Sequence, residues 1–249
     1  MSNLLRGKVA IVTGAARGIG AAISKRFAAE GAAVCFCYHS RMTEAERTLQ
    51  AIERDGGTAI TMQADIRSAR DVEYLFAEAK RRFGSVDIVV NNAAVNHRMP
   101  IEHFNEEQYR QLFDANVLGV LLMAREAGKY LESGGCILNI SSLASTNPSP
   151  GSLLYGGSKA AVDAITATLA VEMGPRGVRV NAINPGVVKT EQLDELRGMT
   201  PELRAQVARM TPLQRLGEPE DIAAAAVLLC GEDARWITGQ CIRVSGGLR

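Results

Sequence analysis

The sequence predicts an α/β protein built on a doubly wound parallel sheet, and three observations support this fold class. Short β-branched runs alternate along the chain with longer helical segments, as in successive βαβ units. The run at residues 86–90 is largely apolar, which is typical of a parallel strand covered by helices on both faces. Because no internal repeat and no linker rich in proline or glycine interrupts the 249 residues, we expect a single domain over residues 1–249.

Seven runs are predicted to form the strands, and the long segment between the last two is predicted to lie outside the sheet. In chain order the predicted strands are residues 9–13, 33–38, 58–63, 86–91, 135–141, 178–183 and 240–244. The charged segment at residues 189–210 is predicted to form a helical flap over the substrate. A solvated surface excursion explains its charge equally well.

Composition and charge exclude several classes of partner. The 28 Lys and Arg residues balance 27 Asp and Glu residues, so no overall field attracts nucleic acid or an anionic membrane. We therefore expect small molecules or further copies of the chain as partners. The first residues lack the apolar core of a signal peptide, and the longest apolar stretch, residues 222–230, is too short to cross a bilayer. These observations favour a cytoplasmic location.

The cysteines and histidines do not predict a metal site. The five cysteines show no Cys-x-x-Cys spacing and no neighbouring set of histidines, and the three histidines are scattered. Most of the cysteines lie in apolar runs, where we expect buried thiols in a reducing compartment. We predict that the protein binds no metal.

A glycine-rich turn at residues 13–20 follows the first predicted strand and leads into a predicted helix. Gly14, Gly18 and Gly20 have the spacing Gly-x-x-x-Gly-x-Gly. Glycines let a backbone turn sharply and approach a pyrophosphate, and the helix N-terminus beyond offers free N–H groups and a positive dipole end. This turn is a candidate phosphate site, although such turns also occur as structural filler.

Tyr155 and Lys159 lie one helical turn apart, so both side chains share one helix face. A neighbouring ammonium favours the phenolate, and we expect it to lower the pKa of Tyr155 toward a value suited to acid/base chemistry near neutral pH. On its own the pair could be an exposed helical pair. The adjacent Gly156 and Gly157 indicate a close-packed substrate or subunit at this helix.

With these motifs, the chain resembles the classical short-chain dehydrogenase/reductase family over nearly its whole length. Besides the glycine turn, Tyr155 and Lys159, the resemblance rests on residues 91–94, Asn116, Ser142, residues 184–186 and Thr190. It implies a Rossmann fold with Tyr155 as the acid/base group. Ser142, at the end of the fifth predicted strand, can hold the carbonyl oxygen of the substrate. The resemblance also implies a proton relay from Lys159 to solvent through Asn116, which could instead be a helix-interior amide satisfied by backbone.

The resemblance further implies where a nicotinamide dinucleotide binds. Lys159 would also hold the nicotinamide ribose, close to Tyr155. The remaining implied contacts are the pyrophosphate beside Gly14, Gly18, Ile19 and Gly20; the adenine beside Asp65 and Ile66; the ribose beside Asn92, with Ala93 and Ala94 next to it; and the nicotinamide beside Pro185, Gly186 and Val188, with Thr190 downstream.

The end of the second predicted strand favours NADP(H) over NAD(H). An acidic residue there would bind the ribose hydroxyls and exclude a 2′-phosphate, but the position holds Tyr38, followed by His39, Ser40 and Arg41. Arg17 in the glycine turn adds a second cation, as in NADP-using proteins that resemble this chain. Arg41 could alternatively be a surface arginine at the start of a helix.

These features predict an NADP(H)-dependent oxidoreductase, a carbonyl reductase that interconverts a ketone and a secondary alcohol. An alternative is a 3-oxoacyl-acyl-carrier-protein reductase, which the chain resembles at Arg176 but not at Glu132, Ser152 or Leu154. Because Glu132 would repel an acidic carrier protein, we expect a small free substrate. A catalytically silent dinucleotide-binding protein is a second alternative. By resemblance, we also expect a homotetramer packed through apolar helical stretches, residues 117–123 and 160–171.

Overall fold

A computed structural model of the chain describes residues 3–195 and 200–249. Within these residues seven strands form one parallel sheet: β1 Val9–Val12, β2 Ala33–Tyr38, β3 Thr58–Gln63, β4 Ile88–Asn91, β5 Cys136–Ile140, β6 Arg179–Pro185 and β7 Cys241–Val244. Their order in the sheet is β3-β2-β1-β4-β5-β6-β7, and every neighbouring pair is parallel. The chain reverses its winding direction between β1 and β4, which confirms the predicted doubly wound α/β fold.

The predicted strands lie close to the observed ones. Those predicted at residues 33–38 and 58–63 have the observed bounds, whereas the others differ by one or two residues at one end or both. The fourth strand begins at Ile88. The preceding residue, Asp87, uses its side chain to bind the start of β1 instead: its Oδ2 accepts hydrogen bonds from Val9 N at 2.8 Å and from Ser85 Oγ at 2.8 Å. The sixth extends to Pro185, whose missing N–H is tolerated at the end of a strand.

Helices connect the strands and cover both faces of the sheet. Their bounds are α1 Gly18–Ala29, α2 Met42–Arg54, α3 Ala69–Phe83, α4 Glu106–Phe113, α5 Gly119–Tyr130, α6 Leu153–Met173, α7 Glu191–Glu195, α8 Pro201–Met210 and α9 Pro219–Cys230. A π-helical segment, Asp114–Leu118, joins α4 to α5. The helix ends follow local chemistry: Ser68 caps α3 by accepting from Asp71 N, and Gly84 ends it in a left-handed conformation with φ 86°.

The core consists of two apolar layers, one on each face of the sheet. Alternate residues of each strand point to opposite faces, so that Val12 packs with α1, α2 and α9 whereas Ile11 packs with α3, α5 and α6. Both strand residues are fully buried. Burial on two faces explains why central strands such as β1 and β4 are largely apolar, whereas β3 at the edge is only half-buried. Because all the strands are parallel, their carboxyl ends lie at one edge of the sheet.

The predicted flap at residues 189–210 contains two separate helices, α7 and α8, and residues 196–199 of that prediction lie outside the described residues. Four of the five cysteines are buried thiols, as expected, and Cys241 is exposed. No helix in the described part of the chain is both long and apolar enough to span a membrane.

Candidate active site

A cavity of about 990 Å³ lies at the carboxyl ends of the strands and brings the predicted cofactor and catalytic residues together. The predicted residues that line it are Gly14, Arg17, Gly18, Ile19, Tyr38, His39, Ser40, Arg41, Asp65, Ile66, Asn92, Ala93, Ala94, Ser142, Tyr155, Lys159, Pro185, Gly186, Val188 and Thr190. Gly20 and Asn116 are buried behind this lining. Such a crevice at the switch point of an open α/β sheet is where ligands of these folds bind.

The glycine turn packs closely against the end of β4 and leaves the start of α1 open. Gly14 adopts φ +64°, and a Cβ atom there would lie 2.7 Å from the Cα of Ala93. A Cβ atom at Gly20 would collide with the side-chain amide of Asn92. At the start of α1, Arg17 makes no capping hydrogen bond, and the first turn holds no acidic residue. The first N–H groups of α1 are therefore suited to an anionic ligand.

Thr13 and Asn92 shape this turn from within. The Thr13 hydroxyl accepts hydrogen bonds from Asn92 N at 3.0 Å and Ala93 N at 3.1 Å. The Asn92 side chain donates to the carbonyls of Thr13 at 2.9 Å and Gly14 at 3.0 Å. The amide of Asn92 thus holds the turn against the end of β4, a role that the sequence analysis did not predict. Its contact with a ribose stays a prediction.

Ser142, Tyr155 and Lys159 meet at the other end of the cavity. Ser142 follows β5, Tyr155 and Lys159 lie on α6, and Lys159 Nζ is 5.8 Å from the centre of the Tyr155 ring. Lys159 is almost fully buried and donates to the Ile140 carbonyl at 2.8 Å. Ser142 Oγ accepts a hydrogen bond from Ala144 N at 3.1 Å. The phenol, the hydroxyl and the ammonium therefore line the same cavity.

The expected direction of the Tyr155 pKa is wrong for this structure. Burial raises the pKa of Tyr155, because it disfavours the phenolate, and the neighbouring Ser142 hydroxyl only partly opposes this effect. Burial also lowers the pKa of Lys159 to about 8, against the opposing charge of Asp163. The phenol thus remains protonated at neutral pH, which suits a proton donor to a carbonyl.

Gly156 lets α6 approach the turn that carries Ser142. A Cβ atom at Gly156 would lie 2.9 Å from the Ala144 carbonyl oxygen, so this glycine packs against the chain itself. Gly157 is exposed, and its nearest neighbour would be 4.0 Å away, at Phe113. The two glycines were expected to make room for a substrate or a subunit. The close neighbour of Gly156 is instead the chain's own turn after Ser142.

Asn116 lies in the π-helical segment between α4 and α5 and is fully buried. Its Oδ1 accepts from Val95 N at 2.7 Å, and its Nδ2 donates to Val95 O at 2.9 Å and Ser158 Oγ at 3.0 Å. The side chain therefore fastens the loop after β4 to α6, in agreement with the alternative of a satisfied helical amide. Lys159 donates elsewhere, to Ile140, so the relay through Asn116 stays a prediction.

A second buried polar contact, absent from the sequence analysis, links α6 to the end of β6. Asn184 Nδ2 donates to Asp163 Oδ2 at 2.9 Å, to Ser145 Oγ at 3.0 Å and to the Ser142 carbonyl at 3.3 Å. Asp163 lies one helical turn after Lys159. Asn184 therefore links the turn that carries Ser142 to the part of α6 that carries Lys159.

At the opposite end of the cavity, Arg17 and Arg41 converge on one carboxylate. Arg17 Nη1 and Nη2 donate to Glu195 Oε1 and Oε2, both at 2.6 Å, and Arg41 Nη2 donates to the same two oxygens at 3.2 and 3.4 Å. Nothing in the local sequence around Arg17 signals this contact, since Glu195 is 178 residues away.

The predicted adenine residue Asp65 is held by charged neighbours. Arg67 donates to its carboxylate through Nε at 2.9 and 3.1 Å and through Nη2 at 2.7 Å, and this contact lowers the pKa of Asp65. His39 Nε2 lies 3.6 Å from Asp65 Oδ2. Across the described residues, no group of three or more His, Cys, Asp and Glu side chains is placed to hold a metal ion.

Comparisons with known proteins agree with this arrangement. A family model described as enoyl-(acyl carrier protein) reductase matches residues 14–249. The chain is 40% identical to 3beta-hydroxysteroid dehydrogenase 1 of Eggerthella lenta, over 100% of this chain and 96% of that protein. It is 37% identical to glucose 1-dehydrogenase 2 of Bacillus subtilis, over 98% of this chain and 95% of that protein.

A solved structure shows the same architecture. The short-chain dehydrogenase of Burkholderia cenocepacia, in complex with NADP, matches with a TM-score of 0.90 at 34% sequence identity, over 98% of each chain. In all three comparisons the match covers at least 98% of this chain, so it is not confined to the glycine turn. The chain therefore belongs to the short-chain dehydrogenase/reductase family, as an oxidoreductase of alcohols and ketones.

Proposed function

We propose that this oxidoreductase uses NADP(H) to interconvert a small free ketone and its secondary alcohol. The observation that carries the proposal is that Ser142, Tyr155 and Lys159 line the same cavity as the glycine turn. The glycine turn and the start of α1 would hold the pyrophosphate. When bound, the nicotinamide would supply or accept the hydride.

In this proposal the chain's own residues orient the carbonyl and move one proton. Ser142 holds the carbonyl oxygen, and Tyr155, protonated at neutral pH, donates its proton to that oxygen during reduction. Lys159 stabilises the phenolate that remains, and Asn116 belongs to the relay that returns a proton from solvent. In the oxidative direction Tyr155 accepts the proton instead.

The Tyr155→Phe variant tests this assignment. The ring still packs, but the proton donor is lost, so we expect turnover to fall by about a hundred- to ten-thousandfold with NADPH affinity nearly unchanged. Steady-state kinetics and fluorescence titration with NADPH measure the two quantities. Lys159→Ala should lower both turnover and affinity. If Tyr155→Phe keeps its turnover, or if the wild-type protein reduces no ketone in a broad panel, the silent dinucleotide-binding alternative is favoured.

The proposed preference for NADP(H) rests on charge at the far end of the cavity. Arg17 and Arg41 line it together, and Tyr38 stands where an acidic residue would reject a 2′-phosphate. The matching structure from Burkholderia cenocepacia contains NADP. Because a hydrogen bond to a charged group contributes about 1.5–3 kcal/mol, NADPH should bind at least about tenfold more tightly than NADH. Tyr38→Asp should shift the preference toward NADH, and equal affinities in the wild type would contradict it.

The proposed substrate is free rather than carried by a protein. Arg176, the residue shared with carrier-dependent reductases, is exposed but donates to the chain's own Leu131 carbonyl at 2.9 Å. The residue after Leu131 is the exposed Glu132, whose negative charge would repel an acidic carrier protein. The curated relatives named for glucose and for a hydroxysteroid also carry the names of free molecules. The test compares kcat/KM for a 3-oxoacyl carrier protein with values for free ketones at low salt. A large advantage for the carrier-linked ester would reverse this ranking.

We also propose that α7 and α8 form a substrate flap and that the protein is a homotetramer. Leu193 of α7 and Leu203, Val207 and Met210 of α8 line the cavity and give it an apolar wall. The proposed interface includes Leu121 of α5, whose side chain is exposed. A cytoplasmic location and a single domain over residues 1–249 complete the proposal.

A further inference from the structure

Glu195 occupies the space between the two arginines that we assign to the 2′-phosphate of NADP(H). Its carboxylate receives two hydrogen bonds from Arg17 and two from Arg41. The contact with Arg17 is bidentate, the geometry by which a guanidinium also binds a phosphate. The three side chains come from the glycine turn, the residue that precedes α2, and α7, so the contact joins segments far apart in the sequence.

The carboxylate and a 2′-phosphate would compete for the same donors. Arg17 contacts Glu195 through Nη1 and Nη2 together. Among residues 3–195 and 200–249, the one further side-chain hydrogen bond of Arg41 is from Nη1 to Glu44. A phosphate that enters must therefore displace the carboxylate or lie beside it. Displacement costs the existing ion pairs, and coexistence places two anions side by side, so either outcome weakens phosphate binding.

We propose that Glu195 sets the degree of cofactor discrimination by acting as an internal substitute for the 2′-phosphate. This inference rests on the proposed NADP(H) function. Glu195 weakens NADP(H) binding, whereas NAD(H) carries only a hydroxyl at this position and does not compete for the arginines. The carboxylate therefore moderates the preference that Arg17 and Arg41 create.

The experiment compares Glu195→Gln with the matched control Asp194→Asn. Both remove one negative charge from α7, but Asp194 pairs with Arg204 rather than with the cofactor arginines. Calorimetric titration with 2′,5′-ADP and with 5′-AMP isolates the phosphate from the nicotinamide, and titrations with NADPH and NADH follow at the same ionic strength.

We expect Glu195→Gln to bind 2′,5′-ADP and NADPH about two- to fivefold more tightly, a range set by the strength of exposed ion pairs. Its affinities for 5′-AMP and NADH should not change. Asp194→Asn should match the wild type with all four ligands. Equal tightening by both variants would show a general charge effect, and weaker or unchanged NADPH binding by Glu195→Gln would equally overturn the role of Glu195.

The Arg17→Ala/Arg41→Ala double variant separates this inference from the proposed function. If that variant loses the preference for NADPH while Glu195→Gln has no effect, the inference is wrong and the proposed preference stands. If the double variant keeps the wild-type ratio of NADPH to NADH affinity, the arginines do not read the phosphate, and the proposed preference and the role of Glu195 are both wrong.

Discussion

At the scale of single residues, Asp163 is the group that opposes the effect of burial on Lys159. Burial lowers the pKa of Lys159 to about 8, and the carboxylate of Asp163 raises it. Asp163 Oδ2 accepts from Asn184, whereas Oδ1 is buried and has no hydrogen-bond partner among the described residues. A charge so poorly screened acts more strongly than one in water. Asp163 therefore helps to keep the lysine protonated at neutral pH.

The Asp163→Asn variant should change the pH dependence of ketone reduction. Without the carboxylate, the pKa of Lys159 falls further, so the lysine loses its charge at a lower pH. Because the proposed mechanism requires the charged lysine, the alkaline decline of kcat/KM should move to lower pH. Profiles measured with NADPH between neutral and alkaline pH check this shift.

Glu172→Gln is the matched control, since it removes the same charge from an exposed position farther along α6. It should keep the wild-type profile. An unshifted alkaline decline in Asp163→Asn would show that Asp163 has only a packing role.

The candidate catalytic residues could be predicted from the sequence where a local motif identifies them. Tyr155 and Lys159 share a helix face, and Ser142 follows a strand, so their approach follows from local structure. The direction of the Tyr155 pKa could not be predicted in this way, because it depends on burial by distant segments. Glu195 was missed for a related reason: its contacts with Arg17 and Arg41 arise only when the chain is folded.

At the scale of elements, α6 carries Tyr155 and Lys159 and contacts the turn that carries Ser142. Its first turns pack against the short turn at Leu143–Ser145, which directly follows Ser142. Gly156 lies so close to this turn that an added Cβ would be 2.9 Å from the Ala144 carbonyl oxygen. The distance between the serine and the tyrosine is therefore set by a helix-to-turn contact that tolerates no side chain.

Substitution of the two adjacent glycines by alanine should have opposite effects. Gly156→Ala forces its Cβ to within 2.9 Å of the Ala144 oxygen and should displace the Ser142 turn. We expect a loss of about 1–3 kcal/mol of stability and a fall in kcat/KM. Gly157→Ala, the matched control, has open space and should stabilise α6 by about 0.5–1 kcal/mol. Urea unfolding and steady-state kinetics measure both effects, and a neutral Gly156→Ala would contradict the packing argument.

At the scale of the whole molecule, the alternation of strands and helices predicted the parallel sheet and its doubly wound form. The regular rhythm is visible because central strands such as β1 and β4 are buried on both faces and so carry largely apolar runs. The division of the flap into α7 and α8 was not predicted. Thr200 and Pro201 mark the start of α8, where the Thr200 hydroxyl accepts from Leu203 N, and this capping signal was available in the sequence.

The proposed tetramer gives a prediction at this scale. Light scattering should show a tetramer for the wild-type protein, and Leu121→Lys should dissociate it, because a buried lysine at an apolar interface is strongly unfavourable. Met42→Lys is the control: Met42 is an exposed apolar residue of α2, on the other side of the sheet, and its substitution should leave the assembly intact. A monomeric wild-type protein, or equal dissociation by both variants, would contradict the proposed interface.

The packing of α1 against α9 has a consequence for biosynthesis. Ile23 and Phe27 of α1 are fully buried in a layer that includes Ile222 and Ala226 of α9. On the ribosome α1 is made early, whereas its partner helix begins only at Pro219. The nascent chain must therefore carry an uncovered apolar helix beside the glycine turn through most of translation, a state in which chaperones protect against aggregation.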